Sequence, residues 1–379
     1  MFEQGRRLKA IHGADKVYDF SLGNPDLDPP GEVLEVLSQE AARTGHMIHS
    51  YMPNAGLLEA RQAVAESYNR RLGLGLVADD VVMTSGAAGA MNITLKALLE
   101  PGDEVIGLVP YFAEYTFYVD NHGGTFVPVP TDAQFLPDLP ALEAALTPRT
   151  KALIVNSPNN PTGRLYPAAF LMGMAQILSA ASARFGHPIY LISDEPYRAL
   201  VYDGLDCPSP ISFYPDTLVA SSHSKDLSLA GERIGHLIIS PRCTFRAELR
   251  QGTIFANRIL GFVNANALMQ RVVARTAALD LAVDSGLYQR RRDRLSGALG
   301  AMGYQFHKPE GAFYLFPRSP LEDETKFCDL LLEELIIAVP GSGFGLPGFF
   351  RLSYAVEDAV IEAALPGFER AARRTGLLA

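Results

Sequence analysis

Two hydrophobic patterns alternate along the chain. Apolar positions recurring every three or four residues predict helices. The stretch GEVLEVLSQEAAR (31–43) sets Val33, Leu34, Leu37 and Ala41 on one stripe, and GLLEARQAVAESYNRRL (56–72) does the same with Leu57, Val64, Tyr68 and Leu72. Unbroken apolar runs of strand length lie at 81–84, 104–109, 125–130, 151–156, 188–193, 217–222 and 236–240, separated in places by helix-like stretches such as 87–99 and 168–185. Runs that are apolar throughout suit strands buried on both faces, as in a sheet covered by helices. From about residue 285 the texture changes. YQRRRDRLSGALGAMG (288–303) predicts a charged amphipathic helix, followed by AFYLF (312–316), another helix and FFRLSYA (349–355). The pattern predicts an α/β fold: a large domain over 45–285, and a smaller α+β domain built from 1–44 and 286–379.

Composition narrows the classes of partner. The chain has 379 residues, 48% hydrophobic and 20% charged, which is ordinary for a globular protein with a sizeable core. A net charge of −9 argues against general affinity for nucleic acid or anionic membrane, while leaving room for a small anion in a local basic pocket. Cys207, Cys243 and Cys328 are widely spaced, odd in number and without a C-x-x-C pair, so reduced thiols in a cytoplasmic protein are expected. The opening MFEQGRRLKAIHGADKV lacks the apolar core of a signal peptide, and no run is expected to span a membrane. His46 and His49 stand three apart without cysteine or acidic company, so no metal is assigned.

In open α/β sheets, ligands bind beyond the carboxyl ends of the strands. The residues following these runs are SGAAGAMN, PYFAEY, SPNNPTG, DEPY and SHSK. Gly86, Ala87 and Ala88 open a helix with small side chains, so a phosphate can approach backbone N–H groups at the positive helix end. Asp194 and Tyr197 put a carboxylate and a phenol at one strand end, suited to a pyridinium nitrogen and a ring oxygen. Asn160 before Pro161 presents its amide in a fixed direction. Lys225 taken alone reads as a solvated surface group. Desolvated, it becomes a nucleophile and proton carrier. Ser222, Ser224 and Arg233 around it suit a dianionic phosphate. Together the five strand ends meet the needs of one cofactor, pyridoxal 5′-phosphate.

On NNPTG, DEPYR and SHSKDLSLAGERIG, in this order and with SLGNPDLDPP and FFRLSYA at either end, the chain resembles the class I/II aspartate-aminotransferase-like group of fold-type-I pyridoxal-phosphate enzymes. The resemblance implies a mainly parallel seven-stranded sheet in the large domain. It also implies Lys225 as the Schiff-base lysine, Asp194 on the pyridinium nitrogen, and Tyr197 and Asn160 on the phenolic oxygen. Phe112 would stack on the ring, where the family often has Trp or Tyr. Gly86, Ala87, Ala88, Ser222 and Arg233 would hold the phosphate, with Ser224 as helper. Tyr51 of SYMPNAG is similar to the tyrosine that reaches the neighbouring subunit's phosphate, which implies a homodimer with shared sites. Arg351 would clamp the substrate α-carboxylate, helped by Asn160 and the backbone of Gly23.

The reaction implied is transfer of an amino group between an L-amino acid and a 2-oxo acid. Aspartate is the first guess for the donor, and a neutral or aromatic amino acid is next. Arg258 is a candidate reader of a distal carboxylate. A β-lyase or decarboxylase shares the same cofactor residues, because fold and cofactor do not fix reaction type. A non-catalytic cofactor-binding protein and a dinucleotide enzyme are disfavoured, the latter because no G-x-G-x-x-G follows a strand.

Overall fold

The computed structural model describes residues 2–279 and 281–378. The strands β1 (Val81–Thr84), β2 (Glu104–Val109), β3 (Thr125–Pro130), β4 (Thr150–Asn156), β5 (Tyr190–Asp194), β6 (Thr217–Ser222) and β7 (Gly235–Ile239) form one sheet in the order β1-β7-β6-β5-β4-β2-β3. All neighbours from β6 to β3 pair in parallel, while β7 runs antiparallel to both β6 and β1. In register, Asn156 lies opposite Asp194, and Asp194 opposite Ala220. The carboxyl ends of β4, β5 and β6 therefore coincide at one rim.

Apolar side chains on both strand faces explain why helices cover the sheet on each side. On one face Val82, Ile154, Ile192, Leu218 and Leu237 pack with Met91 and Leu95 of the helix Gly86–Leu98 and with Leu249 of the helix Arg246–Ile259. On the other, Val81, Met83, Val219 and Ile238 pack with Val64 and Tyr68 of the helix Leu58–Leu72 and with Met269 and Val273 of the helix Ala267–Thr276. Fully burying each such side chain contributes roughly 1.5–3 kcal/mol.

Three patterns depart from expectation, each for a physical reason. β3 is not buried on both faces: it pairs only with β2, and among its residues Val129 alone is fully buried. Its prolines, Pro128 and Pro130, suit an edge, where no ladder donor is lost. In the helix Gly31–Ala41 the inward residues are Val33, Val36 and Glu40, while Leu34 and Ala41 are exposed. The Glu40 carboxylate turns inward because Arg271 and Arg275 meet it at 3.2 and 3.1 Å. The helix Ala168–Phe185 is, by length and composition alone, apolar enough to cross a membrane, a likeness the sequence pattern did not bring out. In the fold its Leu171, Met174, Leu178 and Ala181 pack in one cluster with Ile106, Leu153 and Leu191 of the sheet.

The C-terminal third carries its own core of Phe313, Tyr314, Phe327, Phe350, Leu352 and Phe368, which Phe20 joins from the start of the chain. Tyr18–Asp19 pairs in parallel with Ile336–Ile337, and Phe350–Ser353 lies between Val339–Pro340 and Tyr314–Leu315 in an antiparallel sheet. The helix Ser285–Ala301 turns two of its arginines inward. Arg291 bonds Asp26 and Asp358, and Arg292 bonds Asp203 and Asp293. Tyr197, just past β5, packs into this second core, so the strand rim and the C-terminal third meet over one space.

Candidate active site

That space is a cavity of about 520 Å³. Strand ends supply most of its wall, and Tyr314, Val339, Phe344 and Arg351 close it from the C-terminal side.

At one part of the wall, β1 turns into the helix Gly86–Leu98. Gly86 has φ +70, and a Cβ there would stand 2.8 Å from Arg233 Nη2, so both backbone and guanidinium require glycine. Ala87 and Ala88 line the cavity in the first helical turn, where backbone N–H groups have no intrahelical acceptor. Arg233 donates from Nη1 to the Ala230 carbonyl at 3.1 Å. Ser222 and Ser224 are both buried, and the Ser222 hydroxyl donates to the Ser224 hydroxyl at 3.1 Å.

Asp194 is the last residue of β5. Its Oδ2 accepts from the Tyr115 hydroxyl at 2.5 Å, and its backbone carbonyl accepts from Asn156 Nδ2 at 2.9 Å. Its Oδ1 is buried without a partner. Burial pushes the carboxyl up to about 7, with Glu195 and Glu114 adding to the rise and the Tyr115 hydrogen bond opposing it. The Tyr197 and Tyr314 hydroxyls meet at 2.8 Å, and burial holds Tyr197 well above the ordinary phenol range. Phe112 lines the cavity edge-on to Tyr115, with centroids 5.5 Å apart.

Lys225 donates from Nζ to the Gly23 carbonyl at 2.5 Å and lies 5.4 Å from the centre of the Phe313 ring. Burial, then the nearby Arg233 and Arg351 charges, lower it to about 8. Arg351 is buried between the Tyr314 and Phe344 rings at 4.6 and 4.8 Å. It donates to Asn160 Oδ1 at 3.0 Å and to the Ser21 carbonyl at 2.6 Å, while its Nε has no partner. Gly23 keeps the space clear, because a Cβ there would collide with the Tyr314 hydroxyl.

The donor set suits a flat, charged heterocycle with an anionic tail. An orphaned buried carboxylate oxygen, a lysine held near 8 and a glycine-cleared helix start face one space. A sequence-family model described as aminotransferase class I and II matches residues 15–367. The chain belongs to the class I and II aminotransferases. Its relatives include an aspartate/prephenate aminotransferase of Thermus thermophilus, 37% identical over 92% of this chain and 89% of that one. An aspartate aminotransferase of Thermotoga maritima is 34% identical over 95% and 92%. Among solved structures, an amino transferase from Eubacterium rectale superposes with a TM-score of 0.95 at 38% identity, covering 98% of this chain and 94% of that one. The aspartate aminotransferase of Thermus thermophilus with maleate gives 0.88 at 31% identity, covering 98% and 95%. The family uses pyridoxal phosphate, its relatives here are named aminotransferases, and the fold is theirs.

Of the expected site residues, this aminotransferase brings Gly23, Ala87, Ala88, Phe112, Asn160, Asp194, Tyr197, Ser222, Ser224, Lys225, Arg233 and Arg351 to the one cavity, with Gly86 directly behind Arg233. Tyr51 is 90% exposed and outside the lining, and Arg258 is exposed on its helix. Sequence reasoning missed Tyr115, Asn156, Glu114 and Tyr314. Asn156 ends an apolar strand just as Asp194 does, so the same rule would have found it. Tyr115 and Glu114 sit inside the quoted PYFAEY. Tyr314 had no local signal, since it alternates with apolar neighbours in a core strand.

Proposed function

We propose that this aminotransferase moves an amino group between an L-α-amino acid and a 2-oxo acid, with pyridoxal 5′-phosphate held at the strand rim. The observation that carries this reading is that one cavity is lined both by Asp194, whose buried Oδ1 has no partner, and by Lys225, held near 8. Bound there, the cofactor would supply an electron sink for the charge that develops when the substrate loses its α-proton.

The chain's residues supply the rest. Asp194 pairs with the protonated ring nitrogen, while Tyr197 and Asn160 hold the phenolic oxygen. Phe112 covers a ring face. The helix start at Gly86, Ala87 and Ala88, with Ser222, Ser224 and Arg233, takes the phosphate. Lys225 anchors the cofactor at rest. With its pKa held near 8, the free Lys225 amine would keep a usable unprotonated fraction near neutral pH, fit to take the substrate's α-proton and return it. Arg351, with Asn160 and the Gly23 backbone, fixes the α-carboxylate so that the breaking C–H bond is correctly oriented. The assembly is a homodimer in which the exposed Tyr51 reaches the partner's phosphate. Residues 45–285 form the cofactor-holding domain, and 1–44 with 286–379 the smaller one.

Aspartate, the first guess from the sequence and the substrate in the relatives' names, is the reference donor. The test adds single amino acids, without oxo acid, to protein loaded with pyridoxal phosphate. A single conversion of the visible band, with one equivalent of 2-oxo acid released, is expected. Continuous release of pyruvate and ammonia would assign a lyase instead, and no visible band with added cofactor would refute the reading. Lys225→Ala should lose turnover by at least ~10²–10⁴-fold, the usual contribution of a positioned proton carrier.

A further inference from the structure

Three cationic side chains line the cavity among the described residues: Lys225, Arg233 and Arg351. The proposed function occupies each of them, with the amine chemistry, the phosphate and the α-carboxylate respectively. A second carboxylate on the substrate would find no further cation in this chain. Arg258 does not supply one to the cavity of its own chain, since it is exposed and outside that lining.

The cavity does contain an acid that the proposed function leaves idle. Glu114, two residues after Phe112, lines the same space. Among the described residues it makes no ion pair, and its only hydrogen bond is to its own backbone. It is close enough to the site to perturb its groups. Its charge opposes ionisation of Asp194 and of the Tyr118 and Tyr314 phenols, while Arg351 in turn stabilises it. The side chain is solvent-exposed, and partial desolvation still outweighs that help and raises the carboxyl above its ordinary value. The remaining nearby wall, Met91, Tyr118, Val339 and Phe344, is largely apolar and weakly screening.

We propose that Glu114 makes this aminotransferase select monocarboxylic amino donors whose side chain ends in a hydrogen-bond donor, an ammonium foremost, over dicarboxylic donors. The α-carboxylate goes to Arg351, and the far end of the side chain meets the Glu114 carboxylate. A dicarboxylic substrate would instead bring its second anion towards Glu114 without a partner. Like charges in a partly desolvated space repel, and opposite charges there attract more strongly than in bulk water. The inference rests on the transaminase reading and narrows its substrate in a direction that the relatives' names do not.

Two assays separate the inference from that reading. The first compares kcat/KM for L-ornithine and L-lysine with that for L-aspartate and L-glutamate. The wild-type ratio should favour the ω-amino donors by about three- to tenfold, and Glu114→Gln should bring it close to one, the scale of one solvent-screened charge contact. Glu114→Lys should reverse it. The second measures, by calorimetry on the holoenzyme, binding of 5-aminovalerate and of glutarate, neither of which has an α-amino group to react. The wild type should bind 5-aminovalerate more tightly, and Glu114→Gln should erase the difference while leaving the cofactor absorption band unchanged. If no amino acid is converted, the transaminase reading fails, yet the calorimetry still decides the role of Glu114. A wild-type preference for aspartate or glutarate would overturn the inference, as would a ratio that Glu114→Gln does not move. Loss of aspartate turnover in Arg258→Ala would overturn it too, by revealing a cation supplied across subunits.

Discussion

Replacing Asp194 with Asn should stabilise the cofactor-free protein at neutral and alkaline pH. The reason lies in the Asp194 environment. Its carboxyl is fully buried, one oxygen has no partner, and its pKa stands near 7 instead of the ordinary 3.8. A pKa raised on folding means that the folded state binds the proton more tightly than the unfolded chain. Stability therefore falls as pH rises from the unfolded value to the folded one, and is flat above it. A three-unit displacement at about 1.4 kcal/mol per unit corresponds to roughly 4 kcal/mol of penalty for the buried charge, of which about 3 kcal/mol accrues between pH 4.5 and 8. Asn is nearly isosteric and carries no charge, so Asp194→Asn removes this dependence. The assay is urea denaturation of both cofactor-free proteins at several pH values. Taking the difference between variant and wild type cancels the other titrating groups. The variant's relative stability should climb by about 3 kcal/mol over that window, while its affinity for pyridoxal phosphate drops. A difference that stays constant with pH would refute the buried-charge argument.

Lys225 and Arg351 give two further tests. Because burial and two arginines hold the Lys225 amine near 8 rather than 10.5, its labelling by an amine-directed acylating reagent in the cofactor-free protein should be half-maximal near pH 8, read by peptide mass spectrometry. Half-maximal labelling above pH 10 would show the amine to be solvated. Arg351→Lys keeps the charge but loses the planar fork that spans Asn160 and Ser21, so kcat/KM should fall by about ten- to a hundredfold for every amino donor, as expected for a lost charged hydrogen bond. Gly86→Ala combines a strained left-handed backbone with a Cβ against Arg233. It should weaken cofactor affinity at least tenfold in an absorbance titration, with a stability loss of about 1 kcal/mol.

Much of this architecture was legible because the fold writes itself locally. Each of the seven apolar runs becomes a strand within two residues of its expected ends, and all but the edge strand β3 are largely buried on both faces, which leaves few polar positions inside them. The chemistry sits where the runs stop, so Asp194, Asn160, Ser222 and Lys225 could be located by the same pattern. Sequence could not reveal which charged residues turn inward. Glu40 and Arg292 look like surface positions until partners arrive from distant segments, Arg271 and Arg275 for Glu40 and Asp203 for Arg292. The same holds for Tyr314 and Tyr115. Tyr314 reaches the site only because the C-terminal core folds over the rim, and the role of Tyr115 depends on the 2.5 Å contact with a strand end 79 residues away.

The way charge is distributed separates structural from ligand-directed groups in this protein. The inward charges that hold the fold are matched: Glu40 has three arginines, Arg291 and Arg292 each have two aspartates, and Arg164 has Glu310. Inside the cavity the matching stops. Lys225 and Arg351 bond only to neutral oxygens, Asp194 only to a phenol and an amide, and Glu114 to no other residue. Desolvating an unmatched charge is costly, so a fold that keeps several together is less stable empty than it need be. A pyridinium, an α-carboxylate and an ammonium would match Asp194, Arg351 and Glu114 in turn. The binding free energy of such ligands is therefore drawn in part from relief of the site's own electrostatic strain, and ligand occupancy must raise the stability of the whole chain.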